Sequence, residues 1–233
     1  MYRRRLSKTA LALRLALGLL GPGAVAAGEP EPERPLLFQE VGLTGGFPSG
    51  VTVAASYTPT FGLWDRRLNV GLGARFTAVF GGADVVYPNG NATLIAAQAA
   101  DTFTVNDPSS YALNVMFAIS VRLVAGLEVG LNIDLIGVGF GPGVTGIYQG
   151  VTPGLSGPIA ASVTSFNFLL FGKNDRGQLD SEFFAAYWFE HWGVRAGVSH
   201  MSTEYTLALP VDGGNTVFRL PVTRVIVAVG YRF

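Results

Sequence analysis

Hydrophobic and polar residues alternate one by one along most of this chain. Among the last ten residues, Val225, Val227, Val229, Tyr231 and Phe233 alternate with Arg224, Ile226, Ala228, Gly230 and Arg232. Successive side chains of a strand point to opposite faces, so this pattern predicts a strand with one apolar and one mainly polar face. The same alternation predicts strands in Val51–Phe61, Leu68–Phe80, Tyr111–Leu123, Leu127–Leu135, Phe183–Phe189 and Val194–Val198.

Turn lengths indicate how these strands are connected. Three connections are short, at Gly62–Arg67, Val124–Gly126 and Glu190–Trp192, whereas Gly81–Ser110 is long and rich in Asp, Asn, Pro and Gly. In an outer-membrane barrel the short turns lie on the periplasmic side and the long loops face outwards. With a further strand near Gln39–Gly46, this assignment predicts eight strands. The barrel would have ten strands if Val144–Val151 and Ser162–Phe171 also crossed the membrane. Their poor alternation and the many inward glycines favour eight strands.

The end of the chain indicates which face meets lipid. The final strand stops on Phe233, with a second aromatic, Tyr231, two residues earlier. This resembles the C-terminal signature of bacterial outer-membrane β-barrels, which implies that Tyr231 and Phe233 form an assembly signal for the barrel assembly machinery. We therefore predict an all-β, transmembrane, antiparallel up-and-down barrel. Alternation by itself leaves open a soluble exported barrel that binds a ligand inside, with its apolar faces turned inwards.

The N-terminus predicts export. A basic stretch from Tyr2 to Lys8 precedes an apolar run, Ala10–Leu20, and small residues that suit cleavage follow at Ala24–Ala27. This is the layout of a secretory signal peptide, and the apolar run is too short for a membrane helix. We assign residues 1–27 to the signal, 28–35 to an acidic, proline-rich lead and 36–233 to the barrel. The expected location is the outer membrane of a Gram-negative bacterium.

Composition narrows the range of functions. Five of the 16 basic residues lie in the signal, which leaves 11 basic against 16 acidic side chains and no patch that predicts nucleic-acid binding. Cysteine is absent and there are two histidines, so disulfides, thiolate metal sites and a His-rich metal site are excluded. We expect no cofactor. Five acids of the predicted loops are interpreted as solvated: Asp84, Asp101, Asp107, Asp175 and Asp180.

Charged residues lie out of phase with the apolar sets, so they should face the barrel lumen. The predicted lumen network consists of Arg75, Arg122, Glu128, Asp134, Glu182, Arg195 and Arg224, and Glu40 and Arg232 share the same phase. Such charges can pair and plug a narrow barrel, or they can line a path for ions or small solutes. An eight-stranded barrel is filled by its own side chains, which favours the plug.

One strand carries the parts of an acyl-transfer site. His200, Ser202 and Glu204 share a face, two residues apart. The His-x-Ser pair resembles the active-site strand of outer-membrane lipid A deacylases, which implies a lipid-modifying enzyme as an alternative function. Thr203 stands where that family has Asn, and Glu204 follows sooner than the family's acidic partner. The simpler structural explanation for these polar residues is that the strand leaves the bilayer near Ser199.

As a whole, residues 36–233 resemble the small outer-membrane barrels of the OmpX and OmpW type in alternation, turn lengths and terminal aromatics. This resemblance implies a non-enzymatic barrel with a structural or interaction role, or weak conduction of small solutes. It also implies outer-membrane lipid and lipopolysaccharide as surroundings. It does not predict an oligomeric state.

Overall fold

A computed structural model describes residues 37–47, 50–96, 100–150 and 156–233. The predicted signal and lead, residues 1–35, lie outside this part of the chain. The strands are β1 (Leu37–Phe47), β2 (Val51–Leu63), β3 (Leu68–Phe80), β4 (Val85–Pro88), β5 (Thr102–Val105), β6 (Ser109–Val124), β7 (Leu127–Phe140), β8 (Val144–Gln149), β9 (Ser156–Val163), β10 (Phe166–Phe168), β11 (Leu179–Phe189), β12 (Trp192–Leu207) and β13 (Val217–Arg232). A short helix, α1, spans Ala92–Ala96. Within the described residues, no helix is both long and apolar enough to cross a membrane.

Eight strands close into an antiparallel barrel in the order β1, β2, β3, β6, β7, β11, β12, β13. The last strand returns to the first, with Glu40 opposite Arg232 and Phe47 opposite Val225. The backbone N–H of Phe233 also donates to the Gln39 carbonyl at 3.1 Å. The barrel therefore has no free edge, and the predicted eight-stranded architecture is confirmed.

The barrel is apolar outside and polar inside. On β13, Val225, Val227 and Val229 are about half exposed, whereas the inward Arg224 is 3 % exposed. The same contrast holds on other strands, where Arg75, Asn114, Glu128, Asp134 and Glu182 are all buried. Apolar side chains turned outwards around a polar interior are the arrangement of a membrane barrel. It is the reverse of what a soluble ligand-binding barrel requires, so that alternative is not favoured.

The three short turns lie at one end of the barrel, together with the C-terminus. Two of them place residues in the left-handed region: Trp64, Asp65 and Arg66 in the first, and Glu190 in the third. The second uses Gly126, with φ of +77°, a conformation that glycine adopts without steric cost. At the other end, the connections after β3, β7 and β12 are long.

Strand β7 contains an irregularity that alternation alone did not indicate. Its register with β6 shifts between Val115 and Met116, so that Val115 pairs with Ile136 and Met116 with Asp134. The extra residue, Leu135, reverses the phase beyond it. Ile136 and Val138 therefore point outwards. They are out of phase with the outward residues that precede the bulge, which occupy every second position from Leu127 to Ile133.

The long connections carry an ordered structure, which corrects two predictions. Gly81–Ser110, interpreted as a loop, contains β4, α1 and β5, and the glycine-rich stretch after Phe140 contains β8 and β9. Strands β8 and β9 pair with each other and with β5 and the end of β12, instead of crossing the membrane. The ten-strand option is therefore wrong. A bridge between Asn89 and Phe218 brings β4 back to β13.

These outer strands form a small second ring, which we call the outer cap: β4, β5, β8, β9 and the outer ends of β12 and β13. Its interior is apolar, unlike that of the barrel, and comprises Tyr87, Phe103, Val105, Tyr148, Ala161, Val163, Tyr205, Leu207 and Phe218. Aromatic rings dominate it, with centroids 5.1 Å apart for Tyr87 and Tyr205 and 5.8 Å apart for Phe103 and Phe218. Burying these rings stabilises the cap by removing apolar surface from water.

Candidate functional site

The lumen near the periplasmic end holds two arginines and two glutamates, which we call the lower cluster: Glu40, Glu128, Arg195 and Arg232. Arg232 donates two hydrogen bonds to Glu128, one to each carboxylate oxygen and both 2.8 Å long. Its Nε lies 3.1 Å from Oε2 of Glu40, which also pairs with Arg195. The four formal charges balance, and each carboxylate has a cationic partner.

Aromatic rings pack against the lower cluster. The Arg232 guanidinium carbon lies 3.6 Å from the centre of the Trp188 ring, and that of Arg195 lies 4.8 Å from the centre of the Phe184 ring. Gly193 makes room for Trp188, since a Cβ there would stand 2.5 Å from Cε3 of the indole. Stacking on an aromatic face stabilises a desolvated guanidinium.

The upper cluster is centred on Arg75, which is 1 % exposed. Its Nη2 lies 2.7 Å from Oδ1 of Asp134, and its Nη1 lies 2.8 Å from Oε1 of Glu182. A third acid, Asp180, is more distant, with Oδ2 3.9 Å from Nη1. Two amides complete the cluster: Asn114 donates to Asp134 and Asn132 donates to Glu182, both at 2.8 Å. Three carboxylates thus surround one arginine.

The structure divides the predicted lumen residues into groups. Arg75, Asp134 and Glu182 lie in the upper cluster, and Glu128 and Arg195 lie in the lower one. Arg224 is buried on the inner face of β13, with Nη1 3.0 Å from the sulfur of Met201 on β12.

Arg122 lies elsewhere, at the periplasmic rim, where its guanidinium donates to the Asp65 carbonyl at 3.2 Å. It has the inward phase, but β6 ends two residues later, and its long side chain reaches the neighbouring turn.

Two acids interpreted as solvated are buried. Asp180 is 4 % exposed and belongs to the upper cluster, because β11 begins at Leu179 and places Asp180 in the same inward row as Glu182. Asp101 is 2 % exposed and directly precedes β5, and its carbonyl accepts from the Asn89 N–H at 3.1 Å. For Asp180 the signal was present in the sequence, since it stands two residues before Glu182 in the same phase.

The outer cap covers the outer mouth of the barrel. Tyr205 on β12 is fully buried, and its hydroxyl donates to the Ser109 carbonyl of β6 at 3.2 Å, so that it reaches across the mouth. Burial raises the pKa of the Tyr87 and Tyr148 hydroxyls to about 12, so these cap side chains are neutral at physiological pH. Below the cap, a lumen cavity of about 30 Å³ lies among Glu40, Asn132 and Arg232.

His200, Ser202 and Glu204 do lie on one face, but each has a different partner. His200 Nδ1 is 3.2 Å from the Thr223 hydroxyl, and Ser202 donates to the Gly177 carbonyl at 3.3 Å. Glu204 accepts a hydrogen bond from Arg219 at 2.8 Å. An acyl-transfer site needs a serine, histidine and carboxylate linked in sequence, and in the described part of the chain these three are not linked in that way.

The predicted assembly signal lies at the periplasmic end of β13. The Tyr231 ring is 4.9 Å from that of Trp192 and 6.1 Å from that of Phe233, measured between centroids. Phe233 is 56 % exposed and pairs with Gln39 through both backbone groups. Among the described residues, no group of three or more His, Cys, Asp or Glu side chains is arranged to hold a metal ion.

Comparison with known proteins gives likenesses of fold. No family model matches the chain, and no curated protein matches it in sequence. Among solved structures, Ail of Yersinia pestis in a phospholipid nanodisc is 10 % identical, with 84 % of this chain and 99 % of that one covered and a TM-score of 0.39. A major outer membrane protein of Thermus thermophilus is 13 % identical, with the same coverages and TM-score. The N-terminal barrel domain of Pseudomonas aeruginosa OprF is 9 % identical, with coverages of 84 % and 97 % and a TM-score of 0.37.

Proposed function

We propose that this chain is a non-enzymatic outer-membrane barrel with a closed lumen, and that its outer cap provides the surface for interactions outside the cell. The observation that carries the proposal is the lumen cavity of about 30 Å³ between the two charged clusters. That volume has room for only a few water molecules, far below what a solute path requires. The cap supports the same conclusion, because its aromatic core lies over the outer mouth.

Conductance in planar lipid bilayers tests the closed lumen. We expect the unmodified protein to show near-zero steady conductance, because ion pairs and aromatic rings fill the barrel. A wide, stable channel in the unmodified protein would contradict the plug and make the protein a porin. In that case Glu128→Gln should change ion selectivity, since the carboxylate would then line a wet path.

The outer-membrane location rests on the apolar belt and on the export signal predicted for residues 1–27. Lipid and lipopolysaccharide would surround the belt, and the barrel assembly machinery would insert the strands. Closed barrels without free edges commonly stay folded in SDS until heated. We expect heat-dependent mobility on gels and retention in membranes washed with salt and carbonate. Extraction of the protein by either wash would contradict membrane insertion.

The lipid-modifying alternative has one observation in its favour: His200 and Ser202 line the same surface pocket. Their side chains bond to Thr223 and to the Gly177 carbonyl and not to each other. We therefore expect no release of fatty acid from lipopolysaccharide by the purified protein. Fatty-acid release that is lost in Ser202→Ala but kept in Ser181→Ala would make the protein an enzyme. Ser181 is the matched control because it lies in the same pocket, directly across from His200 on β11.

A further inference from the structure

A large pocket lies on the outside of the barrel wall, apart from the lumen. Its back is the outer face of β11, β12 and β13. Its sides are residues 88–90 with Ile95 and Ala100, and the loop from Leu169 to Asp175. We call it the wall pocket. Its volume is about 740 Å³, within the range of small-molecule binding sites.

The register of the three strands places the wall pocket directly beyond the lipid-facing belt. Phe183, Val198 and Val225 pair across the strands and are 59 %, 47 % and 52 % exposed. The next outward row is polar and contains Ser181, His200 and Thr223.

The row beyond that one is Leu179, Ser202 and Pro221. Thus one continuous outer face runs from hydrocarbon-facing side chains into the pocket.

The chemistry of the walls is graded in the same direction. Leu179, Pro221, Pro88, Ile95 and Leu169 supply apolar surface, whereas His200 and Ser202 supply hydrogen-bonding groups. At the far end Arg219 is held by Glu204, its Nε 2.8 Å from Oε2, and this pair is buried although its row faces outwards.

Three cations and two acids meet around this far end: Lys173, Arg176 and Arg219 against Asp175 and Glu204. The formal excess of one positive charge favours an anionic head over a cationic one.

The loop beside the pocket has an apolar tip. Leu170 and Phe171, between the lining residues Leu169 and Gly172, are 56 % and 78 % exposed. Phe171 has φ of +65°, a strained conformation for a bulky residue. Strain that displays a large apolar side chain suits a loop whose tip enters the membrane interface.

From this geometry we infer that the wall pocket binds an amphiphile of the outer leaflet with an acyl chain and an anionic head. The chain enters along the row of Phe183, Val198 and Val225. The head reaches His200 and Ser202, with Lys173 and Arg219 beyond them. The inference is independent of whether the lumen conducts, because the pocket lies on the other side of the strands.

Native mass spectrometry of the detergent-released protein tests this inference. Two probes carry the same chemistry from different sources: palmitate as a free fatty acid, and a phosphorylated, acylated glycolipid of the outer leaflet. We expect one adduct per protein with at least one probe, and the adduct mass tells which source fits.

Two variants locate the adduct. Ser202→Trp fills the pocket and should reduce the adduct about tenfold or more, which corresponds to a loss of at least about 1.4 kcal/mol. Leu72→Trp adds the same ring to the exposed outer face of β3, four strands away from β12 in the barrel order, and is the matched control. It should bind as the unmodified protein does. Heat-dependent gel mobility checks that both variants fold. Absence of adducts with both probes, or equal adducts in both variants, would overturn the inference.

Discussion

Arg232, the residue before the terminal Phe233, forms a bidentate ion pair with Glu128 across the lumen, with both N–O distances at 2.8 Å. The pair joins the last strand, β13, to β7, although β11 and β12 lie between them in the barrel order. The outer face of the terminal strand carries the predicted assembly signal, while its inner face supplies the arginine of the lower cluster. One strand thus carries both the predicted assembly signal and part of the lower cluster.

We predict that Glu128→Gln lowers thermal stability without opening a channel. The substitution leaves Arg232 with a weaker partner in a lumen where Glu128 is 1 % exposed. Breaking a buried pair costs up to about 3–5 kcal/mol, and water entering the lumen would reduce that cost. The temperature at which the folded gel band is lost measures the effect. Glu190→Gln makes the same chemical change at an exposed turn, and an equal loss in both variants would contradict the prediction.

The upper cluster predicts unequal effects for two similar substitutions. Asp134 lies 2.7 Å from Arg75 and accepts from Asn114, whereas the Asp180 carboxylate is 3.9 Å from the guanidinium. Three carboxylates around one arginine repel one another, so removing the distant charge relieves repulsion and removing the near one breaks the main pair. We expect Asp134→Asn to destabilise the barrel clearly more than Asp180→Asn. Denaturant unfolding in lipid vesicles measures both, and the opposite order would contradict this account.

Alternation predicted the barrel well because each strand repeats the same physical constraint. Lipid outside and a polar lumen inside force a period of two, and residues such as Val225 and Arg224 show it without further information. The bulge at Leu135 could not be predicted in this way, because one inserted residue reverses the phase without changing composition. The cap was also missed: its strands are short and their apolar residues, such as Phe103, are separated by turns.

The candidate site shows the same limit. The alternation of inward and outward positions placed Arg75, Asp134 and Glu182 in the lumen. It could not predict which of these side chains form ion pairs, because that depends on which strands face one another across the lumen. The contact of Arg122 with the Asp65 carbonyl depends on the turn next to it. The wall pocket depends on how the loop from Leu169 to Asp175 folds back on the strands, and no local pattern encodes that contact.

Phe233→Ala should lower the amount of assembled protein in the membrane more than Asp107→Ala does. Phe233 is exposed at the end of a fully paired strand, so its ring contributes little to the folded interior and is free to serve recognition during insertion. Asp107 is an exposed loop residue and is the control. Quantification of the folded, heat-modifiable band in outer-membrane fractions measures assembly. Equal yields of the two variants would count against the terminal signal.

The buried Tyr87 of the cap predicts a loss of stability at alkaline pH. Burial raises the pKa of its hydroxyl to about 12. An unfolded tyrosine has a pKa near 10. Below about pH 10 both states hold the proton, so the contribution of this group to stability is fully present there. Between about pH 10 and 12 the unfolded chain releases the proton and the folded cap retains it, so the free energy of unfolding falls as the pH rises, by roughly 1.4 kcal/mol per pH unit.

Absorbance at 295 nm should show one fewer tyrosine titrating near pH 12 in Tyr87→Phe than in the unmodified protein. The variant should also lose less stability between these pH values. If the lost absorbance instead has its midpoint near pH 10, Tyr87 is solvated and the cap core does not close over it.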